Sequence, residues 1–359
     1  MTAAAVGAVG GTVCDGDRGV TGAGFAAPGG GIVCRADPPR ASNEPATIIA
    51  SKIRNFGART FREYQIGFLR FHFLAHSPTA IEVDSAGSVN WNESRVNNKV
   101  KATFNRYIGI DYSGAETCGS RLKGLSIYAA DRLNEPREVA PLPGPREQWT
   151  RKGIAEWLVE RLSEESTTLI GIDHGFSFPL QYFEKYGLPH DWTIFLNDFQ
   201  EHWPTDEDNT YVDFVRDGVR GNGAARCGDS HWRRITEVRA RAKSVFHFDV
   251  PGSVAKSTHA GMPWLRYLRT RSGDRVHFWP FDGWQIPSGK SVLAEVYPAL
   301  WSHSYPSDGR SAHQQDAYAA AEWLRRSDLD GGLERFFRPS LTPHEREVAA
   351  IEGWILGIA

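Results

Sequence analysis

Tyr107-Ile108-Gly109-Ile110-Asp111-Tyr112-Ser113-Gly114-Ala115 reads as a short apolar strand that ends in a carboxylate and turns on Ser-Gly. A carboxylate delivered to the end of a buried strand is costly to desolvate unless a metal, an array of donors or solvent meets it there. The pattern returns in Thr168-Leu169-Ile170-Gly171-Ile172-Asp173-His174-Gly175. Two such strands in one sheet place two carboxylates at one edge. A third acid, Glu295, follows in Leu293-Ala294-Glu295-Val296-Tyr297-Pro298, and a fourth, Asp316, lies in the helical run from Ser311 to Ala321. Oxygen donors gathered from three strands and a helix suit a hard divalent cation, Mg²⁺ or Mn²⁺. Each acid alone also fits a turn or a helix cap. Capping explains Asp316 least well, because Ser311 and Gln314 already form a capping box and leave Asp316 in the second turn.

The chain has 359 residues, 41% hydrophobic and 23% charged, with a formal net charge of -2, enough apolar material for a packed core. Cys14, Cys34, Cys118 and Cys227 are far apart and form no Cys-x-x-Cys pair, so neither a disulfide framework nor a zinc ribbon is indicated. No apolar run approaches a membrane span, and the start lacks the pattern of a signal peptide. The expectation is a cytoplasmic protein with no membrane partner; nothing in the sequence speaks to oligomeric state. Gly fills 10 of the first 31 positions, and residues 1–105 show no lasting periodicity. That segment is expected to be an N-terminal extension, low in complexity and disordered in part. Residues 106–359 are expected to form the functional domain.

After the first strand, 123–129 and 138–142 read as two further strands. Between Arg146 and Ser163 the residues Ile154, Trp157, Leu158 and Leu162 share one helical face, with Glu156 and Glu160 off it. Strand, strand, strand, helix and strand form the opening of the RNase H-like fold, an α/β mixed sheet flanked by helices. Ile-Gly-Ile-Asp-Tyr-Ser-Gly at 108–114, Gly-Ile-Asp-His-Gly-Phe-Ser-Phe-Pro at 171–179, Ala-Glu-Val-Tyr-Pro at 294–298 and Gln-Asp-Ala-Tyr-Ala-Ala-Ala at 315–321 resemble the domain of unknown function 429 family. Its members are described as predicted nucleases of RNase H-like fold. The resemblance spans roughly 105–359 and implies a metal-dependent nuclease, with Asp111, Asp173, Glu295 and Asp316 as the matching catalytic and metal-holding acids.

A long insertion at about 180–290 has segregated charge. Residues 184–217 hold nine acids against two bases, and residues 226–275 hold eleven bases against four acids. Trp232, Phe246, Phe248, Trp264 and Tyr267 are interleaved with those bases. Bases neutralise phosphates and aromatics stack on unpaired nucleobases, so Arg233, Arg234, Arg239, Arg241, Lys243 and Lys256 are candidate contacts to DNA or RNA. The alternative, of equal weight, is that the two blocks pair with each other and the aromatics enter the core. Gly252-Ser253-Val254-Ala255-Lys256-Ser257 lacks the Gly-Lys pair of a phosphate loop.

Three functions are consistent with these readings. The first is a phosphodiester hydrolase with two cations about 4 Å apart. The second is a non-catalytic nucleic-acid-binding module on the same fold, and the third is an actin- or sugar-kinase-type phosphotransferase. A working metal site requires the oxygens of Asp111, Asp173 and Asp316 to lie within roughly 4 to 6 Å of one point, with Glu295 at the rim. Such crowding of like charge raises at least one carboxyl pKa.

Overall fold

Successive side chains of a strand point to opposite faces, and Arg106–Asp111 (β1) uses both. Ile108 and Ile110 enter the larger apolar core. Tyr107 enters a smaller core on the other face, which Gly109 and Asp111 share. The structure, a computed structural model, describes residues 103–141 and 148–359. The disorder expected for the N-terminal extension concerns residues that lie outside the described ones, apart from 103–105.

The described residues build a mixed six-stranded sheet in the order β3-β2-β1-β4-β6-β5. Ser126–Asp131 (β2) and Arg137–Glu138 (β3) continue antiparallel from β1. Thr168–Asp173 (β4) runs parallel to β1 on its other side. Val276–Phe278 (β5) and Ser291–Glu295 (β6) add parallel strands beyond it. β3 is shorter than the expected 138–142.

Helices cover both faces. Arg151–Leu162 (α1) starts where the Thr150 hydroxyl accepts from the Gly153 amide at 2.9 Å, and it buries Ile154, Leu158 and Leu162. Glu156 and Glu160 are exposed, as expected. Between β4 and β5 come Leu180–Tyr186 (α2), Trp192–His202 (α3), Val212–Arg216 (α4), Ile235–Ala240 (α5) and Ala255–Ser272 (α6). The segment expected to be an insertion is therefore integral to the domain. Its last helix, α6, packs on α1, and its end supplies the edge strand β5. Phe246 and Trp264, read as possible stacking residues, are buried in the larger core.

Ala312–Leu329 (α7) lies across β1 and β2 on the opposite face. Its small side chains Ala317, Ala320 and Ala321 are fully buried. A Cβ on Gly109 would collide with the Ala317 carbonyl oxygen and the Ala321 nitrogen, so helix and strand meet backbone to backbone. The Ser311–Gln314 capping box is present. Leu333–Phe337 (α8) and Pro343–Glu352 (α9) complete the chain. In sequence, Val348, Ile351, Trp354 and Ile355 read as the apolar face of one amphipathic helix from Pro343 to Ala359, but α9 stops at Gly353, where φ is 80°. The tail then runs beside β6, with Ile355 bridged in parallel to Glu295, which explains why Trp354 and Ile355 looked like one apolar helix face.

Candidate functional site

The register of β1 on β4 pairs Asp111 with Asp173 at the carboxyl ends of adjacent parallel strands. Neighbouring strands are about 4.8 Å apart and paired residues share a face, so both carboxylates emerge on the α7 side. The helix runs antiparallel to β1. Asp328 near its end accepts from the Tyr107 hydroxyl at 2.8 Å, and His313 near its start reaches Asp111. Asp316 follows His313 by three residues, which places both on one helix face.

Asp111 is only 6% exposed, and its Oδ2 lies 2.7 Å from His313 Nδ1. Burial lifts its pKa to about 6, the His313 hydrogen bond and charge oppose the rise, and the charge of Asp316 adds to it. Asp173 is pushed well above the ordinary carboxylate range, first by burial and then by the charges of Asp111, Asp316 and Glu295. Asp316 is raised by burial, against the Ser302 hydrogen bond and the charges of His313 and His303. The His313 imidazole is raised in turn, chiefly by its bond to Asp111. Tyr297 feels the charges of Asp173 and Asp316 on top of burial. The charge of Asp316 thus disfavours the ionisation of both Asp111 and Asp173, and that of Asp111 adds to the effect on Asp173.

The crowding does not amount to a formed ion cage. Among the described residues, no three His, Cys, Asp or Glu side chains stand close enough together to hold a metal ion. Asp111 has His313 as its partner instead. The donor chemistry fits a hard cation, and the arrangement as it stands does not close around one.

Glu295 departs furthest from expectation. It is buried, and Arg234 grips it with both ends of the guanidinium, Nη1 to Oε2 at 2.7 Å and Nη2 to Oε1 at 2.6 Å. The Phe176 amide donates to Oε2 at 3.1 Å. A carboxylate engaged at both oxygens is a poor metal ligand, so Glu295 is a support of the site and not part of an ion shell. The same bond removes Arg234 from the nucleic-acid candidates. It is 1% exposed, and its Nε donates to Glu237 at 2.9 Å.

The other candidate bases divide. Arg233 donates to the carbonyls of Glu237 and Ala242, both at 2.7 Å, which closes the end of α5. Arg239 pairs with Glu345 at 2.7 Å, and Lys243 donates to the Pro251 carbonyl. Arg241 is exposed, in the left-handed region with φ 54°. Lys256 pairs with Asp213 at 2.7 Å and lines an open cleft of about 720 Å³ beside Asp111 and His313. Ser113, Glu116, Tyr211 and Ser257 share that cleft. Gly114 lies so close to the first turn of α6 that a Cβ would overlap the Lys256 carbonyl, which holds the turn after β1 against the helix that carries Lys256. Asp173 lines a narrow crevice with His174, Arg234 and Tyr297.

Sequence reasoning passed over two histidines. His313 had a usable signal, its spacing of three from Asp316. His174 is buried, with Nδ1 2.9 Å from the Gly175 carbonyl oxygen and its ring edge-on to Tyr112 at 4.7 Å. Burial drops its pKa to about 4, so it is a neutral wall of the site. A Cβ on Gly261 would overlap this ring.

The chain matches no protein-family model, no curated protein and no solved structure. The resemblance described above therefore rests on its four motifs and their order.

Proposed function

We propose that the protein is a metal-dependent phosphodiester hydrolase acting on nucleic acid, on a sheet of RNase H-like order. The observation that carries this reading is the in-register pairing of Asp111 with Asp173, with Asp316 close enough to disfavour the ionisation of both. Acids crowded at a buried strand end carry a cost of desolvation and repulsion that a bound cation would offset. Three antiparallel strands followed by a parallel one, β3-β2-β1-β4, support the RNase H-like part. In this reading Asp111, Asp173 and Asp316 would hold Mg²⁺ or Mn²⁺, Arg234 fixes Glu295 behind them, and His313 would have to release Asp111 to the ion. The bound ions would supply activation of water and neutralise charge on the leaving oxygen. The cleft over Asp111 admits the phosphodiester, with Lys256 at its wall.

The experiment is Mn²⁺-dependent cleavage of labelled DNA and RNA by the wild type and by Asp111→Asn, with circular dichroism to check the fold. Cleavage is expected to vanish in a folded variant, and undiminished cleavage would overturn the reading. The His313 bond to Asp111 favours a second reading, a binding module whose acids are held by hydrogen bonds. It predicts binding without cleavage in every divalent ion.

A further inference from the structure

Resting on the hydrolase reading, we propose that the cleft over Asp111 takes an unpaired nucleic-acid strand in preference to a duplex, with Tyr211 as the stacking surface for a base and Lys256 as the contact to the adjoining phosphate. Most bases of 226–275 are engaged within the protein. Arg226 pairs with Asp198 at 2.9 Å, Arg234 with Glu237 and Glu295, Arg239 with Glu345, and Arg269 with Asp282 at 2.9 Å. Arg233 and Lys243 donate to backbone carbonyls. A duplex binder holds its ligand by neutralising many phosphates along a basic track. Here most of the bases that would make such a track are tied to the protein itself, with Arg241 and Arg271 exposed.

The cleft carries mixed charge, with Glu116 and Asp213 beside Lys256. Its volume of about 720 Å³ lies within the roughly 300–1,000 Å³ typical of clefts for small ligands. Space of that order receives one or two nucleotides of a strand. Tyr211 is half-buried on its wall, braced from behind by Phe214 at a centroid distance of 3.9 Å. A half-buried ring that lines a cleft and packs on a neighbouring ring can serve as a stacking platform, and every nucleobase offers it a π-face once unpaired. The Lys256 side chain is 42% exposed, and its bond to Asp213 is a surface pair that a phosphate can replace at little cost.

The test uses the full chain and a short labelled oligonucleotide, single-stranded or annealed to its complement. With Mn²⁺, kcat/KM for the single strand is expected to exceed that for the duplex at least about tenfold. Binding is read separately, by fluorescence anisotropy on Asp111→Asn. There the single strand is expected to bind more tightly than the duplex, and adding Tyr211→Ala should weaken it by about five- to a hundredfold, while Tyr211→Phe preserves it. Equal or better binding of duplex, or no effect of Tyr211→Ala, overturns the inference. If Asp111-dependent cleavage persists in that case, the hydrolase reading survives. The expected binding pattern in a wild-type protein that never cuts supports this inference and removes the hydrolase reading alone.

Discussion

Asp111 carries a charge that its surroundings do not welcome. Burial raises its pKa from an ordinary 3.8 to about 6, so the folded protein holds that proton more tightly than the unfolded chain does. As pH rises through that interval the unfolded chain releases its proton first, and stability falls with it. The cost is absent below about pH 4 and complete above about pH 6. In metal-free solution at pH 8, Asp111→Asn is therefore expected to stabilise the protein by about 2 to 3 kcal/mol, at about 1.4 kcal/mol per pKa unit. Below pH 4 the gain should vanish. Urea unfolding at the two pH values checks this, and equal stability at both would show that Asp111 is not strained. The acids themselves were legible because an apolar run that ends in Asp is visible in one dimension. Arg234 and Glu295 were misread because their partnership spans 61 residues of chain. Nothing local to either residue announces it.

The contact that aims the helical acids is the approach of α7 to β1. In sequence, Ala317, Ala320, Ala321 and Leu324 read as a narrow stripe of small residues that lets the helix pack close to the sheet, and Gly109 completes that contact from the strand side. Gly109→Ala would push α7 away at the point where the Ala317 carbonyl lies against the strand. Overpacking of this kind costs about 1–3 kcal/mol and occasionally more. The expected result is a lower Tm together with loss of Mn²⁺-dependent cleavage, since His313 and Asp316 ride on the displaced helix. A variant with unchanged Tm would mean that helix and strand can part without penalty. Elements with strong local signals, β1, β4, α1 and the capped start of α7, were readable. The end of α9 was not, because Trp354 and Ile355 are apolar on account of the sheet edge they reach and not of a helix face.

Across the whole molecule, the segregated charge of 184–275 was legible as a pattern and ambiguous in meaning. The fold resolves much of it into pairs, such as Arg226 with Asp198, Lys256 with Asp213 and Arg216 with Asp249. The same folding turns a supposed insertion into part of the layer that supports the sheet, because α6 packs on α1 and shares the larger core with Ile108 and Ile110. Those pairs have a consequence for thermodynamics in solution. A surface whose bases already face its own acids displaces few condensed cations when a strand arrives, so little entropy of counterion release accompanies binding. With one or two phosphates engaged, log affinity should fall against log salt concentration with a slope of about -0.7 to -1.4. Anisotropy titrations from low to physiological salt measure it, and a slope steeper than about -4 would mean that the internal pairs open toward the nucleic acid. A protein of this kind would hold its substrate chiefly by shape and stacking, with only a shallow dependence on the ionic strength around it.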